Sequence, residues 1–315
     1  MGFFVFLPLV LPLTSLPIAR LAEHHLHPRN AVRLLSWIGV TMAVCSTLAL
    51  GLLFVVGTAQ IPGNPLPDSW SDPEIRTAVP FHEAVGTTAV VGLVTVLTAC
   101  SRSLRRHLRI RARAQRALAP MSPSPAPQGP DLVVLPDPEP YAYAVPGGPG
   151  RVVVSTAMMD SLDADEQRAL LAHERSHLAN RHHRYLLAAQ LASCVNPFLR
   201  PLQKAVGYAT ERWADEEAAG SVGDRRLTAR AVARAALVTR GGGPAPSFAA
   251  FAAPGPVPRR VTALLSPALG EAWPPPASPA GLAAMVAAAG TAVSAVSALN
   301  AAVALLLLVK AATPW

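Results

Sequence analysis

Two histidines four residues apart, His173 and His177, bracket an acid in the run His173-Glu174-Arg175-Ser176-His177. On a helix that spacing puts both imidazoles on one face, about one turn apart, where they can share a zinc ion. Glu174 then sits beside the same ion. There it can take a proton from a water that the metal polarises and deliver it to a leaving amine. At this composition the pattern arises by chance in on the order of one chain in a hundred, so it needs support. Glu211-Arg212-Trp213-Ala214-Asp215 supplies it. A catalytic zinc site takes three protein ligands and leaves one position open, and Glu211 can provide the third as a carboxylate. Asp215, one turn further on, can accept a hydrogen bond from the second ring nitrogen of a ligating histidine and raise its basicity. The bland alternative is that Glu211 and Asp215 form a solvated helix face.

These residues need elements to position them. Strand-like runs lie at Leu132–Leu135, Tyr141–Val145 and Arg151–Ser155, the last two joined by the turn Pro146-Gly147-Gly148-Pro149-Gly150. The helix carrying His173 and His177 opens on Asp163, with Glu166 completing a capping box. Further helices are expected over Tyr185–Ser193, Pro201–Ala219 and Leu227–Thr239, and a Gly/Pro-rich loop over 241–258. A proline-rich linker, 119–130, precedes the peptidase-like domain, which spans 131–275.

Slightly over half of the 315 residues are hydrophobic and 15% are charged, against about 25% in an ordinary soluble domain. Four apolar segments have lengths suited to a bilayer: about 2–18, 31–56, 84–100 and 280–309. The first lacks a basic leader and a small-x-small cleavage site and is expected to be a retained anchor. Seven arginines crowd into Arg102–Arg116 directly after the third segment, whereas the loop between the second and third is acidic. The formal net charge of +8 thus marks a membrane flank and not a nucleic-acid surface. The positive-inside rule places 19–30 and everything between the third and fourth segments in the cytoplasm, and 57–83 outside. The expected fold is mainly α: a multi-pass protein of the cell membrane, with about four transmembrane helices and a cytoplasmic zincin-like helical domain carrying a small β-sheet. Cys45, Cys100 and Cys194 have neither metal nor redox spacing and read as small buried hydrophobes.

The segment Val152–Thr156, the helix with Leu170 through His177, and Glu211 through Ala218 resemble the membrane-embedded gluzincin peptidases. Two branches compete: the beta-lactam sensor-transducer (BlaR/MecR-type) peptidases, and the heat-shock and CAAX prenyl proteases. Asn196-Pro197-Phe198, Arg259-Arg260-Val261-Thr262-Ala263-Leu264-Leu265 and the layout look more like the first. The chain ends at Trp315, without that branch's C-terminal sensor domain, so antibiotic sensing in that manner is not expected. The resemblance implies one Zn2+ per chain, a protein or peptide substrate, and Tyr141–Val145 as an edge strand that aligns it through Tyr143 and Ala144. An ordinary hairpin strand is the alternative for that segment. His182 stands where these families often carry an acid. It and Tyr208 are candidate oxyanion donors, although His182 and His183 read more readily as a polar flank beside Arg181 and Arg184. His24, His25 and His27 read as solvated loop, and His82 as a membrane boundary.

The favoured function is zinc-dependent endopeptidase activity in regulatory signalling, with a transcriptional repressor as a candidate substrate and no direct nucleic-acid binding. A housekeeping protease that clears damaged membrane proteins is the alternative. An inactive membrane scaffold is the third reading.

Overall fold

Asp163 and Glu166 start the central helix as the sequence suggests. The Asp163 carboxylate accepts from the backbone N–H groups of Asp165 and Glu166, and Glu166 accepts from that of Asp163. In the computed structural model this helix, Ala164–Ala179, is one of several that pack on a three-stranded sheet. The structure describes residues 5–58, 82–118, 131–148, 150–241, 256–270, 272–273 and 275–312. The linker expected at 119–130 and most of the acidic segment 57–83 lie outside these residues, as does 242–255 of the expected loop.

In chain order the helices are α1 (Ser15–His25), α2 (Pro28–Thr58), α3 (His82–Leu118), α4 (Thr156–Asp160), α5 (Ala164–Ala179), α6 (His182–Val195), α7 (Arg200–Val222), α8 (Arg225–Gly241), α9 (Val257–Leu265) and α10 (Pro279–Ala312). The strands are β1 (Leu132–Leu135), β2 (Ala142–Val145) and β3 (Arg151–Ser155), in the order β1-β3-β2. β3 pairs parallel to β1 and antiparallel to β2, leaving β2 as an edge. Strand alternation splits the core. Val152 and Val154 point with Leu132 toward Leu171 of α5, while Val153 points with Val145 and Tyr143 toward Ala114 and Leu118 of α3. Burying each such valine contributes about 1.5–3 kcal/mol relative to exposure. The β2–β3 turn runs through positive φ at Gly147, Gly148 and Gly150, a conformation that costs glycine little.

Among the described residues, three helices are long and apolar enough to cross a membrane: Pro28–Val55, Ala84–Leu118 and Ala284–Ala304. Their outer faces show Trp37, Val91, Val94, Leu97, Val286 and Val296, as lipid-facing surfaces do. The N-terminal segment differs from the single span expected for 2–18. Prolines at 8, 12 and 17 divide it into Leu7–Val10, a 3-10 turn at Leu11–Thr14, and α1. It nevertheless follows α2 over much of its length, from Val5 against Leu53 to Ala22 in the cluster around Ala31 and Leu35. The expected cytoplasmic loop at 19–30 is largely helical, with His24 and His25 exposed at the end of α1.

The arginine-rich flank is a direct continuation of the third span. α3 runs unbroken through Arg102–Arg116, because Arg, Leu and Ala are strong helix formers. Its far end is tied to the sheet: Gln115 donates to the Pro146 carbonyl at 2.9 Å, and Arg151 donates to the Leu118 carbonyl at 2.6 Å. One helix therefore joins the apolar layer to the strand beside the site. The α6–α7 corner reaches back into that layer. Asn196 donates to the Leu9 carbonyl and to the Ser46 hydroxyl, both at 3.2 Å, and Ser15 donates to the Phe198 carbonyl. An apolar cleft lies between α2 and α6, lined by residues such as Val44, Leu48, Leu191 and Val195.

Candidate metal centre

α5 and α7 pack face to face, and their polar residues meet in the seam. One donor atom each from His173, His177 and Glu211 lies within 4.8 Å of the others. Nε2 of His173 is 3.6 Å from Glu211 Oε2, and Nε2 of His177 is 3.7 Å from Oε1. The two Nε2 atoms face each other at 3.2 Å. Two nitrogens and a carboxylate converging on one point suit a zinc ion, and the cavity side stays open for a fourth ligand.

Each of these groups is itself held. His173 Nδ1 lies 3.1 Å from Asp215 Oδ1, at the back of the imidazole. Arg260 of α9 forks onto Asp215 through Nε at 2.8 Å and Nη2 at 2.6 Å, and its Nη1 reaches Glu211 Oε2 at 2.9 Å. His177 Nδ1 meets His182 Nδ1 at 3.0 Å. Arg181, a non-glycine residue at φ 52°, forms the corner between α5 and α6 that returns His182 onto His177.

Burial by itself would lower the His173 pKa, but its interactions with Asp215 and Glu211 outweigh burial and carry it up to about 10. His177 is pushed down to about 4, chiefly by burial. Burial likewise drives Glu174 up to about 7, with a further push from Glu211. Glu211 goes the other way, because Arg260 and His173 overcome its burial. Without a cation, then, His173 carries a proton at neutral pH, and a metal must displace it to use Nε2. At pH 6 the Glu174→Gln variant, in which only His173 has a proton to lose, should release about one proton per zinc taken up. Calorimetric titration in two buffers of different ionisation enthalpy reads this number, and a value near zero contradicts the assignment of His173.

Glu174 faces a cavity of about 400 Å³ bounded by β2, α5, α7, α8 and α9. Its carboxylate accepts from the backbone N–H of Ala144. That contact fixes the parity of the edge strand. Tyr141 exchanges backbone and side-chain bonds with Ser155, so the odd residues of β2 turn to β3 and the even ones to the open side. Ala142 and Ala144 therefore offer backbone groups to the cavity. Tyr143, put forward with Ala144 as a substrate contact, borders the cavity, but its backbone is turned to β3 and its ring packs beneath α3.

The proposed oxyanion donors fall elsewhere. His182 is fully buried behind His177, and Tyr208 lies under Arg259, whose Cζ is 4.4 Å from the ring centroid. Neither borders the cavity, whereas His183 does. Arg260 was missed as a site residue. Its only sequence signal was membership of the Arg259–Leu265 run quoted for the resemblance, since its partners are 45 and 49 residues away in sequence.

Residues 104–200 match the model of Peptidase family M48. Protease HtpX of Idiomarina loihiensis is 33% identical over 113 residues, 35% of this chain and 36% of that protein. Protease HtpX of Thioalkalivibrio sulfidiphilus is 36% identical over 77 residues, covering 24% and 25%. The chain thus spans about a third or less of the curated relatives it matches. No solved structure matches it. Of the two branches of the sequence resemblance, the matches fall on the heat-shock protease side. The M48 match includes His173-Glu174-x-x-His177 and stops before Glu211, which geometry alone brings to the M48-type centre. Over that match the region is similar to the M48 peptidases, and the chain carries the His-Glu-x-x-His pair and distal Glu of a gluzincin residue set.

Proposed function

We propose that the chain is a membrane-bound zinc endopeptidase, with His173, His177 and Glu211 as ligands, Glu174 as general base and its catalytic domain on the cytoplasmic face. The observation that carries this reading is the convergence of three ligand atoms within 4.8 Å beside a carboxyl group that opens on a cavity. A zinc ion held there would supply Lewis acidity, polarising the scissile carbonyl and lowering the pKa of water so that a base can remove its proton at neutral pH. The protein's own residues do the rest. Glu174, ionised beside a dication, accepts the proton of the attacking water and passes it to the leaving amine. Ala144 N–H orients the Glu174 carboxylate. Outward backbone groups of Ala142 and Ala144 pair with an extended substrate, and Leu170, Val232 and Ala235 offer an apolar wall to one of its side chains.

Backbone pairing makes little demand on sequence, which favours broad clearance of damaged or unfolded proteins over excision of one regulator. The relatives named Protease HtpX weigh the same way, toward the housekeeping alternative and away from signalling through a repressor. The test is substrate breadth. The detergent-purified chain should cut several unrelated unfolded proteins, lose this activity to a chelator and regain it with zinc. Cleavage confined to a single protein would restore the signalling reading.

Ala144→Pro removes the N–H that holds Glu174 and also distorts the edge strand. Cleavage should fall by about tenfold or more while zinc content is unchanged. Equal cleavage by the variant and wild type would remove β2 from the mechanism.

A further inference from the structure

The two histidines of the centre are backed unequally. Behind His173 stands the carboxylate of Asp215, and behind His177 stands only another imidazole. We propose that His182 is a positioning residue for the metal centre. On this view it is a neutral imidazole that accepts a hydrogen bond from His177 Nδ1–H and thereby presents the lone pair of His177 Nε2 to the metal. The inference rests on the zinc reading above.

The tautomers follow from the contacts. His177 Nε2 is the atom that faces His173 Nε2 and Glu211, so a metal there needs its lone pair and the ring proton must sit on Nδ1. That proton points at His182 Nδ1, 3.0 Å away, which must accept. The proton of His182 is then on Nε2, an atom that is buried without a hydrogen-bond partner among the described residues. A protonated, doubly donating His182 would set two donors nose to nose at 3.0 Å, so the geometry requires the neutral ring.

The surroundings lock that ring in place. His182 has no exposed surface and packs against Trp213 with centroids 4.7 Å apart. The Trp213 indole donates to Glu217 at 2.7 Å, and Glu217 in turn accepts from Ser176 at 2.7 Å and from Asn180 at 2.6 Å. The chain of contacts therefore closes on the residue next to His177. Trp213 also meets Arg29 and Arg33 of the membrane helix α2, whose Cζ atoms lie 5.9 and 5.7 Å from its ring centroid. A neutral imidazole polarises its partner less than a carboxylate does, so His177 is the weaker nitrogen ligand of the pair.

Zinc affinity of the full chain in detergent, measured by competition with a chromophoric chelator, tests this without reference to cleavage. His182→Leu should loosen zinc by about 10–100-fold. His182→Asn, whose amide oxygen can still accept, should stay close to wild type. Nitrogen NMR of histidine-labelled, zinc-loaded protein should show His182 protonated on Nε2 and not on Nδ1. Equal affinity of wild type and His182→Leu, equal loss in the Leu and Asn variants, or a proton on His182 Nδ1 would each overturn the inference while zinc binding by the wild type stands. A wild type that takes up no zinc overturns the metal reading and this inference with it.

Discussion

Glu174→Gln lowers kcat by about 10²–10⁴-fold, the range expected when a general base is lost, and leaves zinc content at the wild-type value. The amide keeps the size of the side chain and can still accept the Ala144 N–H, so the geometry of the cavity survives. It cannot take up the proton of the attacking water. Zinc is retained because the atoms that converge belong to His173, His177 and Glu211 and not to residue 174. Steady-state cleavage of a quenched peptide, with metal analysis of the same preparation, separates the two effects. A variant that loses both zinc and activity would mean that Glu174 is itself a ligand.

Arg260→Met destabilises the metal-free protein by about 3–5 kcal/mol, the cost of stranding a buried charge whose partner has been removed. Asp215 is wholly buried and Glu211 nearly so, and Arg260 is their common counter-charge. Both carboxyl groups sit below their ordinary range, with burial opposed and outweighed by Arg260 first and His173 second. The sign of the pH dependence follows. In wild type, the stability from these depressed groups is present above the ordinary carboxylate range and is lost as pH falls. The variant lacks that contribution, so its deficit is largest near neutral pH and shrinks in acid. Zinc should recover part of the loss by neutralising Glu211. Denaturant unfolding at pH 7 and pH 4, with and without zinc, reads all three effects, and a variant as stable as wild type at pH 7 would contradict them.

What the sequence revealed was local, and what it concealed was contact over distance. The capping pair Asp163 and Glu166 sits within one turn, so the start of α5 was readable to the residue. Turn chemistry around Gly147–Gly150 and alternation on β3 made the strands equally plain. Four-residue spacing places His173 and His177 on one helical face. Arg260 and Asp215, in contrast, meet only because α9 folds back on α7, and nothing in a linear pattern distinguishes that arginine from its neighbour Arg259. His182 failed as an oxyanion candidate for a similar reason. The left-handed turn at Arg181 aims it behind the ligand, while adjacent His183 borders the cavity. The N-terminal segment was read by hydropathy, which is insensitive to the breaks that its prolines impose.

Elemental analysis of the detergent-purified chain, wild type beside Glu211→Ala, tests whether His173, His177 and Glu211 hold a metal. About one zinc per wild-type chain is expected, with a large loss of zinc in the variant and both proteins folded by circular dichroism. A wild type without zinc, or a Glu211→Ala protein that keeps it, would contradict the assignment of this centre.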